Sequence, residues 1–170
     1  FTIGKLSEES RTSYEEIKNL APTPELTALL HPTVISGGRG EQAWDRHLYV
    51  DANDEYHADF NAPETAVVER ELANKKVLWW LRNIDRKPWA VCVPYEVSGE
   101  IRAMYPHFLF VRSEKGHVVV DLVEPHTIAL ADAPAKAAGL AKFAAKHADK
   151  FGRIELILID GRTEKRLDLA

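Results

Sequence analysis

The stretch YPHFLFVRSEKGHVVVDLVEPHTIALADAPAK, residues 105–136, predicts a strand, a tight turn at residues 114–116, a second strand, a loop and the start of a helix. The run Val118–Val120 is almost continuously apolar, which is typical of a strand covered on both faces. Asp121 follows this run, and we expect it to end the strand. A carboxylate there is costly unless a cation, a hydrogen-bond donor or a metal pairs with it. Asp121 is therefore the first candidate site residue.

The flanking segments predict a mixed α/β fold. An alanine-rich helix from residue 134 leads to a buried strand at residues 154–160, and such a β–α–β passage places its two strands parallel. Upstream, we expect strands at residues 44–50, 77–81 and 89–94. A helix over residues 61–76 is predicted from Asn61 as its cap and Pro63 in its first turn.

Glu64 and Glu71 lie on one stripe of that helix, beside apolar positions. Glutamates in this position can reach a site at the edge of the helix. The alternative is a solvated face on which Glu71 pairs with Lys75 at i, i+4. The residue types alone leave both interpretations open.

The N-terminal part of the chain has a different pattern. Residues 7–20 and 25–30 are predicted to be helical, and the glycine-rich run 34–40 is predicted to be a joint. We therefore expect an N-terminal helical appendage, residues 1–40, and a main domain, residues 41–170. Because the first residue is Phe1, we expect the chain to be a piece of a longer protein.

The composition fits an ordinary globular domain with a net charge of -4, so any contact with DNA requires a local basic groove. The lysines of the late helix, together with Arg153, are candidates for such a groove, with a solvated face as the alternative. The single cysteine, Cys92, is predicted to be a buried thiol in a reducing compartment. No apolar run is long enough to span a membrane, and we expect a cytoplasmic protein.

Three short motifs resemble one known family. Residues 80–83 (WLRN), 105–108 (YPHF) and 120–126 (VDLVEPH) are similar, in order and spacing, to motifs of PD-(D/E)xK nucleases. The likeness is to the restriction-type domain at the C-terminus of DEAD/DEAH helicase subunits, including type III restriction enzymes. It covers residues 44–160 and implies a restriction-endonuclease-like core, with helices flanking a central mixed β-sheet.

The resemblance also assigns roles to individual residues. The first acid of the family falls on His107, the second on Asp121, and the helical glutamate on Glu64. The family lysine falls on Val123, so Lys136 at the start of the following helix is the candidate to replace it. By this resemblance, the expected catalytic residues are Asp121, Lys136, Glu64 and His107. Asp121, His107 and Glu64 are also the expected metal ligands.

The implied function is a metal-dependent DNA endonuclease of a restriction or helicase-type defence protein, with an altered or inactive site. Its cofactor would be Mg²⁺ or Mn²⁺, and a histidine ligand suits Mn²⁺ better than Mg²⁺. The implied partners are DNA, a helicase/ATPase domain of the same longer chain and a modification subunit. The alternatives are a catalytically silent nuclease-fold module for DNA docking or motor support, and a plain α/β domain without a nucleic-acid role.

Overall fold

A computed structural model describes residues 40–87, 89–127, 131–160 and 163–169, so the predicted N-terminal helices lie outside the described residues. Its centre is a five-stranded mixed sheet with the strand order β3-β6-β7-β8-β9. The strands are β3 (Val77–Arg82), β6 (Phe108–Glu114), β7 (His117–Thr127), β8 (Arg153–Asp160) and β9 (Thr163–Asp168). β7 and β8 are parallel, whereas the other neighbours are antiparallel.

Two helices pack on opposite faces of this sheet. Alternate residues of a strand point to opposite faces, and β7 accordingly places Val123 in one apolar core and Leu122 in the other. Helix α1 (Ala62–Ala73) contributes Val67 and Val68 to the first core. Helix α2 (Ala133–His147) covers the second core with Leu140 and Ala144. The predicted mixed α/β class and the parallel β7–β8 pair are confirmed.

Two small strand pairs complete the described domain. β1 (Ala43–Trp44) pairs with β2 (Tyr56–His57), and β4 (Val93–Val97) forms a hairpin with β5 (Glu100–Met104). The β4–β5 hairpin packs against α2, where Gly139 allows a close approach: a Cβ built there would lie 2.6 Å from the Cβ of Tyr95.

Several predicted boundaries are wrong. The expected strand 44–50 is reduced to β1, and residues 46–48 only flank β3 through main-chain hydrogen bonds to Trp80. The strand expected at 89–94 begins at Val93, and Cys92 is exposed rather than buried. β7 does not end at Asp121 but continues to Thr127, because its pairing with β8 continues that far.

A cluster of rings surrounds Trp80 on the α1 side of the sheet, and His47 is part of it. The His47 ring stacks on Tyr56 with centroids 3.6 Å apart. Its Nε2 accepts the main-chain N–H of Arg82 at 3.1 Å, and Nδ1 lies 2.7 Å from the carbonyl oxygen of Tyr49. The ring is thus held neutral, with its proton on Nδ1. Burial lowers the pKa of His47 to about 4, although the hydrogen bond to Tyr49 acts in the opposite direction.

This depressed pKa predicts acid destabilisation. An unfolded histidine titrates near pH 6.5, so below that pH the unfolded chain binds a proton that the folded ring takes up only near pH 4. We expect the free energy of unfolding to fall by ~3 kcal/mol between these values, at about 1.4 kcal/mol per pKa unit. Urea unfolding at several pH values measures the slope. The variant His47→Gln should flatten it, whereas the same substitution at the exposed His117 should not.

The close contact at Gly139 gives a second prediction. In Gly139→Ala the new methyl group would also meet the carbonyl oxygen of Pro94 at 2.9 Å, and backbone cannot move aside easily. We expect a loss of roughly 1–3 kcal/mol, the usual cost of overpacking, measured by urea unfolding. Ala141→Ser on the exposed side of α2 is the control. An unchanged midpoint in Gly139→Ala would mean that the hairpin does not pack on α2 this closely.

Candidate functional site

A cavity of about 410 Å³ opens where both helices begin, beside the ends of β6 and β7. It is lined by Asn61, Pro63, Glu64, His107, Pro125, His126, Thr127 and Lys136. The predicted site residues Glu64, His107 and Lys136 therefore line one pocket. Asp121 does not line it.

Glu64 reaches the pocket because it is part of the start of α1. Asn61 caps the helix by accepting the N–H of Glu64 at 2.9 Å, and Glu64 Oε2 accepts the N–H of Asn61 at 3.2 Å. This reciprocal arrangement is a capping box. It orients the other carboxylate oxygen, Oε1, towards Arg82 at 2.9 Å and His107 Nε2 at 3.1 Å.

His107 lies between two carboxylates. Its Nδ1 is 2.5 Å from Glu124 Oε2, and the same oxygen accepts the main-chain N–H of His107 at 3.0 Å. The pairing of Phe108 with Val123 places His107 opposite Glu124. Both ring nitrogens of His107 therefore face carboxylate oxygens, Nδ1 that of Glu124 and Nε2 that of Glu64.

Arg82 places a permanent positive charge beside Glu64. Its guanidinium lies over the rings of Phe60 and Phe108, 5.3 and 4.9 Å from their centroids. These contacts fix the planar group beside Glu64. We call Glu64, Arg82, His107 and Glu124 the pocket cluster.

Asn83, next to Arg82, holds the backbone at His107 in place. Its side-chain amide donates to the carbonyl oxygens of Pro106 at 2.7 Å and Val91 at 2.9 Å, and its main-chain N–H donates to His107. The WLRN motif thus has a local explanation: Trp80 fills the core, Arg82 pairs with Glu64, and Asn83 positions His107.

A second charged group lies further along β7. His126 Nε2 is 3.3 Å from Asp132 Oδ1, and Asp132 Oδ2 is 3.5 Å from the ammonium group of Lys136. His126 and Asp132 lie within ion-pair distance, but their atoms are not aligned for a hydrogen bond. Burial and the nearby Lys136 lower the pKa of His126. Burial raises the pKa of Asp132, but Lys136 and His126 hold it below its ordinary value.

Asp121 has a structural role instead of the expected catalytic and metal-binding one. It is fully buried in the middle of β7, where its Oδ2 accepts from Arg112 Nε at 2.6 Å and from Arg153 Nε and Nη2 at 2.8 and 2.6 Å. The cost of burying this carboxylate is therefore offset by two arginines. The expectation that Asp121 joins Glu64 and His107 is corrected.

The same ion pairs correct two other interpretations. Arg153, a candidate DNA contact, is directed inwards to Asp121 and to Glu71 at 2.9 Å. Glu71 is buried and also pairs with Arg166 at 3.1 Å, rather than forming a solvated pair with Lys75. Asp121, Arg112, Arg153, Glu71 and Arg166 are called the arginine cluster below.

Sequence reasoning missed Glu124 and gave Arg82 no role. Glu124 is 1% exposed and lies opposite His107, so it, rather than the expected Asp121, is the strand acid beside His107. One signal was available: in an antiparallel hairpin with its turn at Lys115-Gly116, the residue that faces position 107 is 124, not 121. Val123, at the position of the family lysine, is wholly buried in the apolar core.

The pocket cluster does not fit a divalent metal ion as it stands. The donor types are suitable, since carboxylates and imidazole bind Mn²⁺. However, the His107 ring lies between the carboxylates, and Glu64 Oε1 already pairs with Arg82. In the described parts of the chain, the group of three side chains whose donor atoms lie close enough together to hold a metal ion is outside the pocket. It consists of Asp51, Glu55 and His57, which are partly buried. There Asp51 mainly accepts the main-chain N–H groups of Asn53 and Glu55.

Fold and site together define a mixed α/β protein with a cluster of two carboxylates, an arginine and a histidine at a pocket between two helix N-termini. The chain belongs to the YagJ family, whose profile matches residues 45–170. It is 32% identical over 165 residues to Protein YagJ of Escherichia coli (strain K12), an alignment that covers 91% of this chain and 68% of that protein. No solved structure matches the chain significantly. Within the described residues, no helix has the length and apolar character needed to cross a membrane.

The role given to Asp121 predicts a stability effect. Asp121→Asn removes the buried negative charge that Arg112 and Arg153 share, leaving them with Glu114 and Glu71 as partners. Breaking this buried ion pair should cost about 3 kcal/mol in the free energy of unfolding. Urea unfolding measures this loss, with Asp149→Asn on the exposed segment after α2 as the control. A variant as stable as the wild type would contradict the structural role given to Asp121.

Proposed function

We propose that this protein is a nuclease-fold module that binds the DNA backbone at the pocket without cleaving it. The observation that carries the proposal is the meeting of Glu64, His107 and Lys136, predicted from the resemblance, in one pocket. An α/β fold alone does not require these three side chains to line one pocket.

The element order supports the finer fold assignment. α1 is followed by β3, β6 and β7, which form an antiparallel meander, and then by α2 and the parallel strand β8. This is the order that the resemblance implies for a restriction-endonuclease-like core. The β4–β5 hairpin is an insertion in it, between β3 and β6.

The pocket suits phosphate. The positive ends of α1 and α2 lie at it, where main-chain N–H groups attract anions. His126 is 5% exposed, and among the described residues its Nε2 has no aligned hydrogen-bond partner. Lys136 supplies a cation, and Asn61 and Thr127 supply neutral polar groups at the wall.

The pairing of the carboxylates in the pocket cluster favours DNA docking over DNA cleavage. Hydrolysis of a phosphodiester needs a cation that activates water and neutralises developing charge, usually a hard metal on free carboxylate oxygens. In the pocket cluster both glutamates already interact with His107, and Glu64 also with Arg82. The position of the family lysine is occupied by the buried Val123, so no lysine lies there beside the glutamates.

An active metal-dependent DNA endonuclease is the second candidate function. One observation favours it: two carboxylates, Glu64 and Glu124, meet at His107 beside a pocket that also contains Lys136. Association with a helicase motor or a modification subunit stays a prediction for either candidate.

DNA binding tests the first proposal. Fluorescence anisotropy with labelled duplex and single-stranded DNA should show binding that weakens with salt. In Lys136→Gln we expect weaker binding to all sequences and a salt slope smaller by about 1, because one phosphate contact is lost. Lys165→Gln on the exposed edge strand is the matched control. Docking at the pocket is contradicted if the DNA affinity does not change with salt concentration. It is also contradicted if both substitutions weaken binding equally.

Cleavage assays separate the two candidates. Plasmid and single-stranded DNA, incubated with the full chain and Mg²⁺ or Mn²⁺, should remain intact. Cleavage that disappears in Glu124→Gln but persists in Lys165→Gln would establish the endonuclease instead.

A further inference from the structure

The most informative contact in the pocket is the one between His107 and its two carboxylates. Glu64 comes from α1 and Glu124 from β7, and the imidazole ring of His107 separates them, 3.1 and 2.5 Å from their respective oxygens. Glu64 is 7% exposed and Glu124 1%, so water screens little of this interaction.

The individual carboxylate oxygens show how little room is left for another cation. Glu64 Oε2 accepts from the Asn61 N–H, and Glu64 Oε1 interacts with Arg82 and His107. Glu124 Oε2 interacts twice with His107. Glu124 Oε1 lies 3.9 Å from the ring of His126.

A divalent ion would have to displace these groups. Mg²⁺ requires oxygen ligands at about 2.1 Å in near-ideal octahedral geometry. Arg82 would then lie close to the metal, since it is only 2.9 Å from Glu64 Oε1 and is fixed over two aromatic rings. Two like charges at such a distance repel strongly in a buried site.

We propose that the His107 ring, with the Arg82 guanidinium, occupies the place beside Glu64 and Glu124 that a divalent metal would take, and that the wild-type pocket cluster is a latent metal site which loss of the histidine opens. With aspartate at position 107, three carboxylates would face Arg82 alone, leaving a net charge of -2 by simple counting. That oxygen-rich donor set suits Mg²⁺ or Mn²⁺.

The inference concerns the same pocket as the proposed function but does not require DNA binding. Its test uses no nucleic acid, so the two proposals can fail separately. The variants are His107→Asp, His107→Asn as a nearly isosteric neutral change, and His117→Asp at the exposed β6–β7 turn as a charge-matched control.

Isothermal titration of the EDTA-treated full chain with Mn²⁺ measures the affinity, and thermal unfolding with and without Mn²⁺ gives a second readout. We expect His107→Asp to bind at least tenfold more tightly than the wild type and to gain thermal stability from the metal. His107→Asn should show a smaller increase in affinity, and His117→Asp none. Circular dichroism checks that each variant is folded.

A second substitution locates the metal. Adding Glu64→Gln to His107→Asp should remove the gained affinity, whereas any binding at Asp51, Glu55 and His57 would persist. The proposal is overturned if the wild type binds Mn²⁺ with micromolar affinity that Glu64→Gln abolishes. It is equally overturned if folded His107→Asp and His107→Asn bind no better than His117→Asp; should His107→Asp not fold, His107→Asn decides alone.

Discussion

The register between β6 and β7 is the constraint on which the rest of the described structure depends. Phe108 opposite Val123 places both side chains in the core under α1 and, by the same pairing, sets His107 opposite Glu124. A slip by one residue would turn every side chain of β7 to the other face. Asp121 would then lose its contacts with the two arginines, and an apolar side chain would replace Glu124 beside His107. Packing and charge pairing therefore select the same register.

Each of the two charged clusters compensates a buried carboxylate of β7, but with different partners. A buried carboxylate must be paired, and unpaired burial costs several kcal/mol. In the arginine cluster, Asp121 is wholly buried and does not line the pocket. In the pocket cluster, His107 is 30% exposed in its side chain and borders a cavity. Pairing of carboxylates with basic side chains thus serves stability in one place and leaves a ligand-accessible surface in the other.

Local signals predicted the parts of the fold that depend on local chemistry. Asn61 and Pro63 predicted the start of α1. The turn at Lys115-Gly116 predicted the hairpin, and both of these turn residues have positive φ. The site was predicted only in part, because the pattern could not distinguish two acids in one apolar strand. Asp121 is paired with Arg153, which lies 32 residues later in the chain. Such a partner is determined by the packing of β7 against β8, which no local pattern encodes.

Glu64 takes part in two structures at once. One of its oxygens belongs to the capping box that starts α1, and the other belongs to the pocket cluster. Replacing it by an apolar residue would alter the charge of the cavity and remove the capping box of a helix terminus in the same step. Evolution therefore has few routes by which to change the ligand of this pocket at position 64 without a cost in folding. Position 107, whose side chain caps no helix, is the freer place for such divergence.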